Sequence, residues 1–194
     1  MTNQADSNNT NKPLLIVITG RPASGKTTLA HILSKEIKLP LLSRDELKEG
    51  YINSTGAHHN QSDNVVGWYI YETFFETINL LISRGVSLIV EAAFQHKLWK
   101  PKLSDLLEKA DVRIVVCEIN PAIAKMRFTK RLLIDPNRKK FHGDNLDEKL
   151  GLLIETYERI NIHTPILAVD TTDNYYPRLE KIVSFINQKT VADK

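Results

Sequence analysis

Residues 14–37 carry the tightest constraint in the chain: an apolar run, a glycine-bracketed turn and a helical pattern follow one another without a gap. Leu14-Leu15-Ile16-Val17-Ile18 is apolar throughout and rich in β-branched side chains, as a strand buried on both faces must be. Leu29, Ile32, Leu33 and Ile37 recur at helical spacing. Between them stands Gly20-Arg21-Pro22-Ala23-Ser24-Gly25-Lys26-Thr27, a glycine, four residues, then Gly-Lys-Thr. A strand, a tight loop and a helix in that order turn backbone N–H groups and the positive end of a helix toward one point, where a phosphate is stabilised. Gly20 and Gly25 permit turns and a close backbone approach that side chains would block. In such a loop Lys26 reaches the β and γ phosphates and the Thr27 hydroxyl holds Mg²⁺. The pattern predicts a nucleoside triphosphate site built from Gly20, Ala23, Ser24, Gly25, Lys26, Thr27 and Thr28.

The rest of the chain continues the rhythm. After a polar, Asn-rich tail (1–12, read as disordered), residues 13–190 form one domain in which strand-like and helix-like runs alternate. Strands are expected at Leu39–Leu42, Val86–Val90, Val112–Cys117 and Ile166–Val169. Helices are expected at Val65–Ser83, at Lys97–Lys109, after Pro121 and from Tyr175 to about Ile186. Because these strands are apolar throughout, the expected architecture is α/β: three layers, with a five-stranded parallel sheet flanked by helices. Its site lies at the carboxyl ends of the strands. Two segments interrupt the pattern, a polar loop over Tyr51–Asn64 and a basic loop over Ile134–Asn145.

Composition narrows the function classes. A net charge of +3 in 194 residues does not announce a nucleic-acid binder. The single cysteine, Cys117, cannot form an internal disulfide and reads as strand core. No apolar stretch approaches the roughly 20 residues of a membrane span. The amino-terminal residues lack the apolar core of a signal peptide, so a cytoplasmic protein without membrane partners is expected.

Four blocks in order, Gly20–Thr27, Ser43-Arg44-Asp45-Glu46-Leu47-Lys48, Val90-Glu91-Ala92-Ala93-Phe94, and Arg127 with Arg131 before the basic loop, resemble the small P-loop kinases. The chain is similar to the kinase domains of polynucleotide 5′-kinases, to chloramphenicol phosphotransferase-like kinases and to the zeta-toxin group, from Leu14 to about Val169. The resemblance implies a P-loop NTPase fold of the nucleoside-monophosphate-kinase type, with a short basic lid at about 132–145. It implies transfer of the γ-phosphate of ATP, with Mg²⁺, to a hydroxyl group. The interruption at Tyr51–Asn64 then falls where such kinases keep the acceptor pocket.

Asp45 follows a short strand and projects over the sheet's carboxyl edge, where a carboxylate can orient a hydroxyl and take its proton. Read locally, it equally caps the helix beginning at Glu46. The resemblance assigns it the catalytic role, since the aspartate of an Arg-Asp pair has that task in the related kinases. Arg44 and Lys48 flank it, either binding an acceptor phosphate or lying as solvated charges. Glu91, directly after a strand, can hold a water of the Mg²⁺ shell or bind acceptor hydroxyls, and many relatives carry aspartate there. Arg127 and Arg131, four apart and on one helix face, are read as catalytic charges on the triphosphate, with Arg131 also able to stack on adenine. Lys125, Lys130, Arg138, Lys139 and Lys140 read as a solvated lid surface or a weak nucleic-acid track.

Thr171, Thr172 and Asp173, after the last strand, either contact the base or form an ordinary turn. Trp68, Tyr69, Phe74, Phe75 and Ile78 read as a core-packing stripe, and the histidines show no metal-ligand spacing. The expected activity is phosphorylation of a small molecule such as a nucleoside, a sugar or an antibiotic-like compound. The alternatives are a kinase acting on a nucleic acid 5′ end and an ATP-binding regulatory switch. The absence of an Asn-Lys-x-Asp guanine-reading motif counts against a GTPase.

Overall fold

Five apolar runs become the five strands of one parallel sheet in a computed structural model that describes residues 12–56, 63–94, 96–134, 141, 151–152 and 154–188. The strands are β1 (Leu14–Gly20), β2 (Leu41–Ser43), β3 (Leu88–Glu91), β4 (Asp111–Glu118) and β5 (Ile166–Asp170). Their order across the sheet is β2-β3-β1-β4-β5. The helices are α1 (Lys26–Ile37), α2 (Arg44–Thr55), α3 (Asp63–Ser83), α4 (His96–Lys109), α5 (Pro121–Ile134) and α6 (Leu179–Asn187). No helix among the described residues is long and apolar enough to cross a membrane.

Strand periodicity builds the layers. Leu15 and Val17 of β1 enter one core cluster with Val112, Ile114 and Val116 of β4. Against them pack Phe74, Phe75, Ile78 and Ile82 of α3 and Trp99, Leu103 and Leu106 of α4. The alternate residues, Ile16 and Ile18, Val115 and Cys117, face a second cluster with Leu29, Ala30 and Leu33 of α1 and Ile182 and Ile186 of α6. Each fully buried side chain of this size contributes about 1.5–3 kcal/mol by leaving water. A smaller cluster (Ala23, Ile119, Ala124, Ile154) seats α5 on the first loop of the chain. Register then brings the carboxyl ends of the central strands together: Ile18 lies opposite Glu91, and Ser43 lies opposite Glu91 from the other side.

Four expectations are corrected. Tyr51–Thr55 are not loop but the last turns of α2, which ends at Gly56 in the left-handed conformation (φ 68°), and Asp63 and Asn64 already belong to α3. Buried Ile52 gives α2 a reason to continue. The last helix starts at Leu179 rather than Tyr175, because Pro177 biases Tyr176 toward extended backbone. Tyr176 instead exchanges hydrogen bonds of 2.8 and 2.9 Å with Asp170. Trp68 and Tyr69 are not core: they are 64% and 53% exposed, off the face defined by Ile70, Phe74 and Ile78. Each packs on one ring instead, Trp68 on Tyr71 and Tyr69 on Tyr51. Finally, Leu132–Ile134 of the expected lid complete α5. Its basic residues Arg138, Lys139 and Lys140 lie outside the described residues, as do His58, His59 and His142.

Candidate active site

The glycine-bracketed loop joins β1 to α1 as its pattern requires. Gly25 at the start of α1 has φ 83° and Ala23 has φ 60°, so the loop runs through left-handed backbone at both positions. A Cβ added at Gly20 would lie 2.4 Å from the Cys117 carbonyl and 2.6 Å from Ser24 Oγ, so the β4 edge excludes any other residue there. Over the loop opens a pocket of about 340 Å³ lined by Ala23, Gly25, Lys26, Thr27, Thr28 and Arg131. Its size lies at the small end of the range for nucleotide and cofactor clefts, roughly 300–1,000 Å³.

Lys26 is 7% exposed and its Nζ stands 3.4 Å from Glu91 Oε1. Glu91 is fully buried, and its other oxygen accepts a 2.7 Å hydrogen bond from the Ser43 hydroxyl. Burial alone would push the Lys26 ammonium toward neutrality, yet the charges of Glu91 and Asp45 more than offset it and raise its pKa above the ordinary 10.5. Lys26 therefore stays charged, and Asp45 stands close enough for its charge to act on it. Apart from Lys26, Glu91 Oε1 has no polar partner among the described residues. A buried carboxylate oxygen beside a lysine, next to a loop carrying the Thr27 hydroxyl, is a fitting place for a divalent cation and phosphate oxygens.

Asp45 sits in the first turn of α2, with Arg44 Nη1 3.5 Å from its Oδ1. The helix begins at Arg44 and Ser43 occupies the capping position, so Asp45 is not the cap. Lys48 follows one turn later, half-buried. Behind Asp45, Glu46 Oε1 meets His31 Nε2 at 2.6 Å, linking α2 to α1. The two arginines of α5 diverge. Arg131 lines the pocket, while Arg127 Nη2 donates to the carbonyl oxygens of Thr171 and Thr172 at 2.8 and 2.7 Å. Thr171 donates its hydroxyl to the Ser24 carbonyl at 2.6 Å. The turn after β5 thus touches the loop itself.

Sequence reading missed the contacts that hold the strand ends and the loop in place. Thr19 Oγ1 accepts from the Phe94 N–H at 3.0 Å and lies 3.3 Å from the Tyr157 hydroxyl, tying the ends of β1 and β3 to the segment before β5. Burial raises the pKa of Tyr157 above its usual value. Arg21 donates to the Ile154 carbonyl at 2.8 Å. A second pocket of about 360 Å³ adjoins Arg21 and Tyr157, but its charged groups are already engaged, Arg159 with Glu118 at 2.9 Å and Asp170 with the Thr172 N–H at 2.7 Å. Only the β-sheet register could have paired Ser43 with Glu91, and no local pattern announces it.

A family model described as "AAA domain" matches residues 15–151. Among solved structures, the chain is similar to a candidate kinase from Chloroflexus aurantiacus j-10-fl, with 26% identity and a TM-score of 0.80 over 93% of this chain and 100% of that one. A sugar kinase from Janibacter sp. HTCC2649 has 17% identity and a TM-score of 0.62, covering 91% of this chain and 95% of its own. The Mycobacterium tuberculosis APS kinase, solved with AMPPNP and APS, has 15% identity and a TM-score of 0.60, covering 92% and 99%. At those identities the last two share the fold. No curated protein matches the chain by sequence.

Proposed function

The chain belongs to this AAA-domain family, and from that footing we propose that it is a kinase moving the γ-phosphate of ATP to a hydroxyl group of a small molecule. The observation that carries the reading is the convergence of Lys26, Glu91 and the charge of Asp45 beside a pocket lined by the loop and Arg131. Backbone N–H groups of residues 23–28 cradle the phosphates, and Lys26 neutralises the β and γ oxygens. Arg131 adds positive charge where negative charge spreads over the oxygens of the transferring group. Asp45 orients the acceptor hydroxyl and takes its proton as the new P–O bond forms and the bond to the β-phosphate breaks, leaving ADP. Thr27 and Glu91 are the residues that would hold Mg²⁺, which would offset phosphate charge when bound. Arg44 and Lys48, flanking Asp45, are the residues that would bind an acceptor bearing anionic or hydroxyl groups.

The test is phosphate transfer from labelled ATP with Mg²⁺ to two acceptor panels. One holds 5′-hydroxyl oligonucleotides, and the other nucleosides, sugars and antibiotics. Asp45→Asn protein runs alongside and should lose at least about 100-fold in transfer while keeping ATP affinity within a few-fold. Label on small molecules alone supports the reading. Label on oligonucleotides replaces the acceptor class with a nucleic acid end. Transfer that survives Asp45→Asn removes the assigned base, and ATP binding without any transfer favours a regulatory module.

A further inference from the structure

We propose that Arg127 and Thr171 form a strut holding the P-loop against α5, so that Arg131 faces the phosphates while Arg127 positions the loop. The proposal rests on reading the loop as a nucleotide site. A loop that turns its N–H groups inward toward phosphate leaves carbonyls facing the protein, and buried carbonyls need donors. Ser24 is fully buried, and its carbonyl accepts the 2.6 Å hydrogen bond from Thr171 Oγ1. Thr171 is itself 4% exposed, and its N–H donates to the Glu118 carbonyl at 3.0 Å, which pins it to the end of β4. It stands directly behind the loop: the nearest atom to a Cβ added at Gly25 is Thr171 Cβ, at 3.9 Å.

Arg127 completes the path. One guanidinium nitrogen donates to the carbonyls of both Thr171 and Thr172, so this turn holds it from two sides. Charge-assisted bonds of this kind are stronger than neutral ones. Arg131, one helical turn further along, lines the phosphate pocket, and Arg127 does not. The connection therefore runs from α5 through Arg127 to the turn after β5, and through Thr171 to the carbonyl that precedes Gly25 and Lys26. Both residues are positioning residues that act on the nucleotide through the loop.

The alternative is that Arg127 is a charge on the γ-phosphate. The two roles separate in binding alone, with no acceptor needed. Affinities of the full chain for ADP and for AMPPNP, each with Mg²⁺, are measured by calorimetric titration. A strut that shapes the loop around the β-phosphate predicts that Thr171→Val and Arg127→Met each weaken both nucleotides equally, by roughly tenfold for one lost positioning bond. Thr171→Ser keeps the hydroxyl and should bind within about twofold of the original protein. The double variant should fall no more than about twofold below the weaker single one, since the two residues act in series. Loss of AMPPNP affinity with ADP affinity intact in Arg127→Met overturns the strut, and so does wild-type binding by Thr171→Val. Should Thr171→Val fail to fold, Arg127→Met read with both nucleotides decides alone. No binding of AMPPNP by the original protein removes the nucleotide reading and the strut with it, whereas binding with unaffected variants removes the strut only.

Discussion

Replacing Glu91 by glutamine keeps the shape of the site and removes one charge, and the consequence for Lys26 can be worked from its surroundings. Lys26 is 7% exposed, and burial is the largest influence on its ammonium, opposed first by the Glu91 charge and then by that of Asp45. Removing one partner of a buried ion pair costs about 3–5 kcal/mol. Glutamine retains a polar contact with Ser43, and Asp45 still attracts the ammonium, so the expected cost lies near the low end, about 3 kcal/mol. For a protein of this length 1 kcal/mol moves the melting temperature by about 2–4 °C, which gives a fall of roughly 6–12 °C. The folded pKa of Lys26 is raised above 10.5, so its contribution is complete below pH 10.5 and is lost as pH rises through the raised value. Unfolding followed by circular dichroism at pH 7 without nucleotide therefore reads the full effect. Pairing Glu91→Gln with Lys26→Met removes both charges at nearly constant volume and should recover at least about half of the loss. A fall of less than about 2 °C for Glu91→Gln would refute the reasoning, because the pair would then not be holding a buried charge.

Three further outcomes follow from the packing. Gly20→Ala would place a methyl 2.4 Å from the Cys117 carbonyl, so it should abolish nucleotide binding or folding, read by AMPPNP titration beside circular dichroism. Arg113 is 2% exposed at the amino end of β4 and donates to the Phe185 carbonyl at 3.0 Å and to Asp111 at 3.1 Å. Arg113→Ala should cost about 3 kcal/mol in thermal unfolding, yet leave nucleotide affinity unchanged at the opposite end of the sheet. Burial pushes the Cys117 thiol from 9.0 up to about 12, so its contribution is whole below pH 9 and lost as pH rises toward 12. Each such proton tilts stability by about 1.4 kcal/mol per pH unit, and Cys117→Ala should flatten the alkaline fall of a urea-derived stability curve. An unchanged slope would count against a buried thiol.

What the chain reveals to a reader of its sequence depends on whether the information is local. The strands are legible because each is centred on a mainly apolar run, although β4 carries Arg113 within it, and β1, the loop and α1 are legible because they are contiguous. The position of Asp45 just past a strand is legible because β2 is short and adjacent. Glu91 is different: its burial depends on Ser43 and Lys26, 48 and 65 residues away, which meet it only through the β1-β3 and β2-β3 registers. The arginines of α5 show the limit most plainly. Spacing of four puts both on one helix face, but it also separates them by about 6 Å along the axis. That distance lets Arg131 line the pocket while Arg127 reaches the turn after β5. The groups that claim Arg127, Arg21 and the Thr171 hydroxyl are backbone carbonyls, and every residue has one. Side-chain identity marks the donors in a sequence and is silent about such acceptors. A motif can therefore name the groups that meet the phosphates, while the groups that hold the motif in shape emerge only when the chain is folded.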